Sequence, residues 1–146
     1  PADDFSRSMG TIQRRLLRRA LGQVGAQTAH RRWVAEQYRL RITHSLIAHP
    51  SLRPGADPVF GRYPLVTEDR PAILARAPAA KVEVVDFYST PVHPFRGADL
   101  RIVCYEPGSC PNAEWLSERV ISLPTNTMVR EREIDRTVRL FDSLAA

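Results

Sequence analysis

Met9, Ile12, Leu16, Leu17, Leu21 and Val24 recur three to four positions apart, the spacing of one apolar helix face, and Arg14, Arg15, Arg18 and Arg19 fill the opposite face. Ser6 can cap the start of this helix, with Asp3 and Asp4 upstream where the helix dipole favours negative charge. The pattern resumes with Trp33, Val34, Tyr38, Ile42, Leu46 and Ile47 and ends before Pro50, while Gly22 and Gly25 predict a kink or break between the two stretches. Pro54-Gly55 and Asp57-Pro58 then break the chain before a strand over residues 62–67, where Pro64 suits an edge or a strand start. Residues 68–77 predict a short helix capped by Asp69 or Thr67, with Pro71 in its first turn. Val82, Val84, Val85 and Phe87, with Glu83 and Asp86 between them, predict a strand over 81–88, and residues 101–106 predict another. A helix over 113–120, capped by Asn112 or Cys110, puts Trp115, Leu116 and Arg119 on one side; an extended exit over 120–123 follows, closed by Pro124. The final helix runs from about Arg130, with Ile134, Val138, Phe141 and Leu144 on its core face. With no regular βαβ alternation, the order predicts an α+β domain: a small antiparallel or mixed sheet backed by helices, with a long interrupted N-terminal helix.

At 146 residues and 43% hydrophobic content, the chain has the size of one domain and enough apolar mass for a core, so 1–146 is expected to be a single unit. Its longest apolar runs are a few residues, far short of the ~20 that a membrane span needs, and its N-terminus lacks a signal-peptide core. The expectation is therefore a cytoplasmic protein with no membrane partner. Cys104 and Cys110 flank a turn holding Pro107 and Gly108; a bridge across it is possible, but two thiols in a cytosolic chain are more often reduced. The net charge of +5 arises in the first third, where residues 1–48 carry nine arginines against Asp3, Asp4 and Glu36. A basic helix face is the electrostatic footprint of nucleic-acid binding. Against that partner, the sequence has no helix-turn-helix spacing, zinc motif or base-stacking signature, and a solvated face or one that docks on an acidic domain accounts for the arginines better. His30, His44 and His49 show no metal-ligand spacing, so no metal is expected.

Several short motifs stand in a telling order. Pro111-Asn112-Ala113-Glu114 opens the helix that leads to Ser122-Leu123-Pro124. Upstream lie Gly10-Thr11-Ile12-Gln13, then Arg31 with Ala35 and Tyr38, then Arg62-Tyr63-Pro64-Leu65-Val66, then Tyr88-Ser89-Thr90-Pro91-Val92-His93. Together they resemble the small C-terminal domain of the DegT/DnrJ/StrS sugar aminotransferases, enzymes that use pyridoxal phosphate (PLP), and the resemblance covers residues 6–144. The chain departs from the family pattern at Arg14, where leucine is usual, and at Val129-Arg130-Glu131-Arg132-Glu133, where a threonine and an acid give way to arginines. It departs again after His93, with Pro94-Phe95-Arg96-Gly97 in place of a glutamine and an aromatic, which bears on substrate contacts more than on fold.

The resemblance implies amino transfer, often from glutamate, to a keto-sugar nucleotide. It places the His93 segment near the nucleotide-sugar cleft, with Tyr88 and Phe95 as further candidate substrate contacts. A histidine on a proline-flanked loop is rigidly presented and poorly placed for a core, although a surface histidine without a role fits the same residues; Tyr88 also suits strand-end packing. PLP catalysis needs a lysine amine for the Schiff base and an acid for the pyridine nitrogen. The family carries both on its large domain. This chain has one lysine, Lys81, without the family's serine, histidine or asparagine surroundings, and a solvated strand end describes it best. No catalytic or cofactor-binding residue is therefore assigned here, and PLP is implied only for a full-length parent. The expected partners are the missing PLP-binding large domain, a homo-oligomer formed through the parent enzyme, and a nucleotide sugar. A fragment, a natural truncation or half of a split protein would each fit. The alternative is a non-catalytic binding or adaptor module that keeps the fold.

Overall fold

The architecture is described by a computed structural model covering residues 8–145. Helix α1 runs unbroken from Thr11 to Arg41. Ser6, Asp3 and Asp4 lie outside the described residues; the helix is opened instead by Gly10, whose N–H donates to Gln13 Oε1 at 2.8 Å. That single bond, the glutamine half of a capping box, is what the Gly-x-x-Gln motif does. The break expected at Gly22 and Gly25 does not occur. A Cβ at either position would meet nothing within 4 Å, so these glycines cost backbone entropy without removing a hydrogen bond, as a proline would. The helix also stops earlier than the periodicity suggests. Ile42 is the C-cap, its N–H still donating to Tyr38 O, while its carbonyl accepts from His49 Nε2 at 2.7 Å.

The released chain returns as a two-residue strand, β1 (Ile47–Ala48), the first of three antiparallel strands in the order β1-β2-β3, with β2 at Arg62–Thr67 and β3 at Val120–Pro124. The sheet is thus antiparallel and α+β, but β2 is its central strand rather than an edge. Pro64 is tolerated there for a geometric reason. Its partner across the ladder is Ser122, and Ser122 spends both its N–H and its C=O on Val85, at 2.8 and 3.2 Å. Pro64 and Ser122 therefore form a non-hydrogen-bonded pair, and the donor that Pro64 lacks would point toward the β1 side. On that side β1 pairs only with Val66 and Thr67, so no ladder bond is lost.

The strand expected over 81–88 reduces to the single bridge Val85 to Ser122. The next ladder positions on β3 would be Val120 and Pro124. The Val120 N–H is committed to Leu116 O as the cap of the preceding helix, and Pro124 has none. Lys81 adopts φ 55 in a turn and is exposed. The strand expected over 101–106 is absent as well: Gly97–Arg101 is a 3-10 turn, Cys104 adopts φ 54, and Ile102 is 74% exposed. Strand propensity expresses itself only where a half-buried pleated surface receives it, and no sheet edge reaches this segment. Cys104 and Cys110 are both free and exposed.

The remaining helices are α2 (Arg70–Arg76), capped by Asp69 through Ala72 N, α3 (Pro111–Arg119) and α4 (Glu131–Asp142). Without a capping threonine, α4 keeps the other half of a capping box: Glu133 Oε2 accepts from Arg130 N at 3.1 Å. One face of the sheet, Tyr63, Leu65, Thr67, Ile121 and Leu123, packs with the C-terminal half of α1 (Val34, Ala35, Tyr38) and with Ile134, Leu140 and Phe141 of α4. Val138 and Leu144 sit at the edge of that core, partly buried. Arg41 ties the two helices together through Glu131 at 2.6 Å and Asp135 at 2.5 Å.

Two tyrosines are locked into this layer, and burial pushes each phenol up to about 12 from an ordinary value of 10. The sign follows from the folded state favouring the neutral phenol. The stabilisation is complete below pH ~10, the unfolded value, and is lost as pH rises through the folded one. Absorbance at 295 nm and far-UV circular dichroism, followed together from pH 9 to 13, should therefore show the buried pair, Tyr38 and Tyr63, ionising only as helix is lost. Ionisation of that pair near 10 with the fold intact would contradict this packing.

Candidate functional site

The side chains of β2 alternate, so the face opposite the core presents Pro64 and Val66. Above them lies a groove of about 850 Å³. Its floor is Pro64, Val66 and Val120; one wall is His49, Pro50 and Ser51 after β1, another is Ala113, Leu116 and Ser117 of α3, and the rim is the segment Tyr88 to His93. The strand that fails to form after Lys81 supplies this rim: leaving the sheet at Val85, the chain is free to curl over the groove.

At the rim three rings meet. His93 lies 5.5 Å from Phe87 and 5.9 Å from Tyr88, and the Tyr88 contact is edge-on at 78°. Phe87 and Tyr88 are more than half exposed, at 55% and 59%, so they offer ring surface to an incoming planar group. Of the sequence candidates, the structure thus brings Tyr88 and His93 together. Phe95 does not join them among the lining residues; it sits in the following turn, its N–H donating to Val92 O at 2.9 Å.

Periodicity gave no sign of Thr90 and His49. Thr90, which lines the groove, has a buried Oγ1 with no hydrogen-bond partner among the described residues. His49 is engaged at both nitrogens: Nε2–H donates to Ile42 O, so in the neutral ring Nδ1 accepts from Tyr63 OH at 2.9 Å. It holds the wall in place. No sequence spacing relates His49 to His93; only the return of β1 against β2 does. Ser117 likewise is internally satisfied, donating to Glu114 O at 2.8 Å.

Each quoted motif acquires a mechanical role. In Pro-x-Ala-Glu, Pro111 starts α3, Ala113 lines the groove, and Glu114 pins the preceding loop by accepting from Tyr105 OH and Gly108 N, each at 2.6 Å. Those two donors hold the Glu114 carboxyl below its usual range. Arg31 donates to Gly61 O at 2.7 Å and to Thr125 Oγ1 at 2.9 Å, while Tyr38 OH donates to Pro124 O at 3.1 Å. The arginine-alanine-tyrosine pattern is therefore the seam between α1 and the sheet.

Among the described residues that line the groove there is no carboxylate and no amine. Lys81 is not one of them, and its turn is exposed. These residues do not fit a PLP Schiff-base site; the groove can bind and orient, not supply a nucleophilic amine.

The chain is an α+β domain with a long leading helix, a three-stranded antiparallel sheet and a groove on the sheet's free face. The sequence profile of the DegT/DnrJ/EryC1/StrS aminotransferase family matches residues 5–142, and the chain belongs to that family. No curated protein matches the sequence. Among solved structures, the fold is similar to Streptomyces venezuelae DesV in complex with a ketimine intermediate, with a TM-score of 0.80 and 24% identity over 91% of this chain and 36% of that one. It is similar also to a DegT DnrJ EryC1 StrS aminotransferase from Brucella abortus, with a TM-score of 0.77 and 24% identity over 93% and 36%. The aminotransferase TlmJ from Streptoalloteichus hindustanus superposes with a TM-score of 0.68 and 23% identity over 86% and 34%. The chain therefore spans about a third of the length of these structures. Among the described residues no helix is long and apolar enough to cross a membrane.

Proposed function

We propose that this chain is the small domain of a PLP-dependent nucleotide-sugar aminotransferase, inactive alone and forming one wall of a substrate cleft whose cofactor chemistry belongs to a separate large domain. The observation that carries the reading is the groove rim, where Tyr88, Thr90 and His93 stand together on the motif segment that resembles the family's cleft loop. In this reading His93 donates to a phosphate oxygen, the Phe87 and Tyr88 rings stack on the nucleotide, and Thr90 supplies a further hydrogen bond. The domain contributes orientation and water exclusion. The parent assembles as a homo-oligomer and works in the cytoplasm, with an amino acid such as glutamate as donor.

The test is a chimera in which the full chain replaces the matched third of DesV. Turnover of a keto-sugar nucleotide is expected, and His93→Ala is expected to raise KM ~10-fold with kcat little changed, the signature of a lost ground-state contact to a charged group. A chimera that folds and binds PLP but shows no turnover, or a His93→Ala variant with unaltered KM, would overturn the reading. The adaptor alternative predicts the first of these results.

A further inference from the structure

The groove on the free face of the sheet is almost uncharged. Among the described residues that line it there is no arginine, lysine or carboxylate, and one of its histidines, His49, is spent on Ile42 O and Tyr63 OH. A diphosphate diester carries two negative charges, and drawing such a group out of water is costly unless a cation and hydrogen-bond donors meet it. His93 as a neutral ring supplies one N–H and no charge. Within this domain the missing cation has to stand beside the lining, and the rim loop carries one.

That loop, from Ser89 to Arg96, is closed twice. At its tip the Phe95 N–H donates to Val92 O at 2.9 Å, a turn that reverses the chain around His93. At its base Arg96 Nη2 donates to Ser89 Oγ at 2.6 Å. Ser89 stands between Tyr88 and Thr90, both of which line the groove, so the clasp sets the guanidinium at the foot of the rim, on the same loop as His93. Arg96 is exposed, and no carboxylate pairs with it among the described residues, Asp99 included. One of its five N–H donors is committed to a neutral hydroxyl, which orients the fork without cancelling its charge. Arg96 also falls in Pro94-Phe95-Arg96-Gly97, the stretch where the sequence departs from the family pattern, so this cation is a feature of the chain itself.

We propose that Arg96 is a specificity-determining residue of the rim, its guanidinium meeting the diphosphate of a nucleotide substrate while Ser89 holds it in place, an inference that rests on the small-domain reading above. The base stacks on Phe87 and Tyr88, His93 donates to one phosphate oxygen, and Arg96 offsets the charge of the pair. A substrate without the diphosphate, such as a free keto-sugar, gains nothing from it.

In the DesV chimera, Arg96→Gln is expected to raise KM for the keto-sugar nucleotide about 10-fold with kcat little changed, and Arg96→Lys to recover most of the loss because it keeps the charge. An unchanged KM in Arg96→Gln overturns the proposal. Ser89→Ala separates charge from scaffolding. Removing the clasp alone is expected to raise KM no more than about 3-fold. A rise equal to that of Arg96→Gln, with no rescue by lysine, would reduce Arg96 to a brace for the loop. PLP affinity, followed by the absorbance of the cofactor, is expected to be the same in all of these variants. A loss of affinity confined to PLP would assign the guanidinium to the cofactor's phosphate and overturn the proposal.

A chimera that binds PLP without turnover sinks the small-domain reading, and the role of Arg96 is then read on the 146-residue chain alone. Uridine diphosphate is expected to shift the backbone amide NMR signals of residues 88–96 and to bind about 5-fold more weakly to Arg96→Gln, while uridine, which lacks the phosphates, binds both proteins alike. Equal affinities for uridine diphosphate, or no shift at the rim, overturn the proposal. Arg96 is exposed, so Arg96→Gln is expected to leave the circular dichroism of the chain unchanged.

Discussion

Replacing Tyr38 by alanine is expected to destabilise the chain by about 3–5 kcal/mol, the range for truncating a large, fully buried aromatic. Tyr38 is 0% exposed, lies 5.8 Å from the Tyr63 ring, and donates to Pro124 O at 3.1 Å. Alanine would leave both a cavity between α1 and the sheet and a carbonyl without its donor. Tyr38→Phe separates the two contributions. It keeps the ring and removes only the hydroxyl, so about 1–2 kcal/mol is expected. Urea denaturation of the three proteins measures both; an alanine variant within ~1 kcal/mol of wild type would mean that α1 does not pack on the sheet through this residue.

Arg31→Ala is expected to cost about 2–3 kcal/mol. A charged donor shared between a backbone carbonyl and a buried hydroxyl carries about 1.5–3 kcal/mol, and its loss leaves those acceptors unpaired. Thr125, 0% exposed, receives the Arg31 bond and itself donates to Phe60 O at 2.7 Å, so the three groups act as one network. Thr125→Val is expected to be non-additive with Arg31→Ala, with a coupling of about 1 kcal/mol in a double-mutant cycle. Additivity would show that the seam is not a network. Arg31→Lys is expected to rescue only in part: Nη1 alone makes both bonds, and the shorter lysine must bring its ammonium to the same point to restore them. Because this seam roots the exposed half of α1, the same substitutions should loosen that half while leaving the groove lining in place.

The helices were legible because each announces itself locally. Ile134 and Phe141 recur at helical spacing in α4, Pro111 begins α3, and Asp69 caps α2 through its own side chain. Strand β2 was legible in extent but not in position, since centre or edge depends on which segments return to pair with it. The groove was half legible. The motif pointed to Tyr88 and His93 and contains Thr90, but His49 joins them only through the pairing of β1 with β2.

The amino-acid sequence by itself determined the helical segments, the family motifs and the segregation of arginines from leucines along the first helix, because all of these rest on periodicity and near-neighbour chemistry. Tertiary structure alone decided the rest. Residues 81–88 have strand propensity but found only one partner residue on β3, whose adjacent N–H groups were already committed or absent, and so became the rim of the groove. Likewise, an apolar helix face signals burial, yet residues 11–27 stand exposed, because burial needs a second surface and the core within reach is filled by the other half of the same helix.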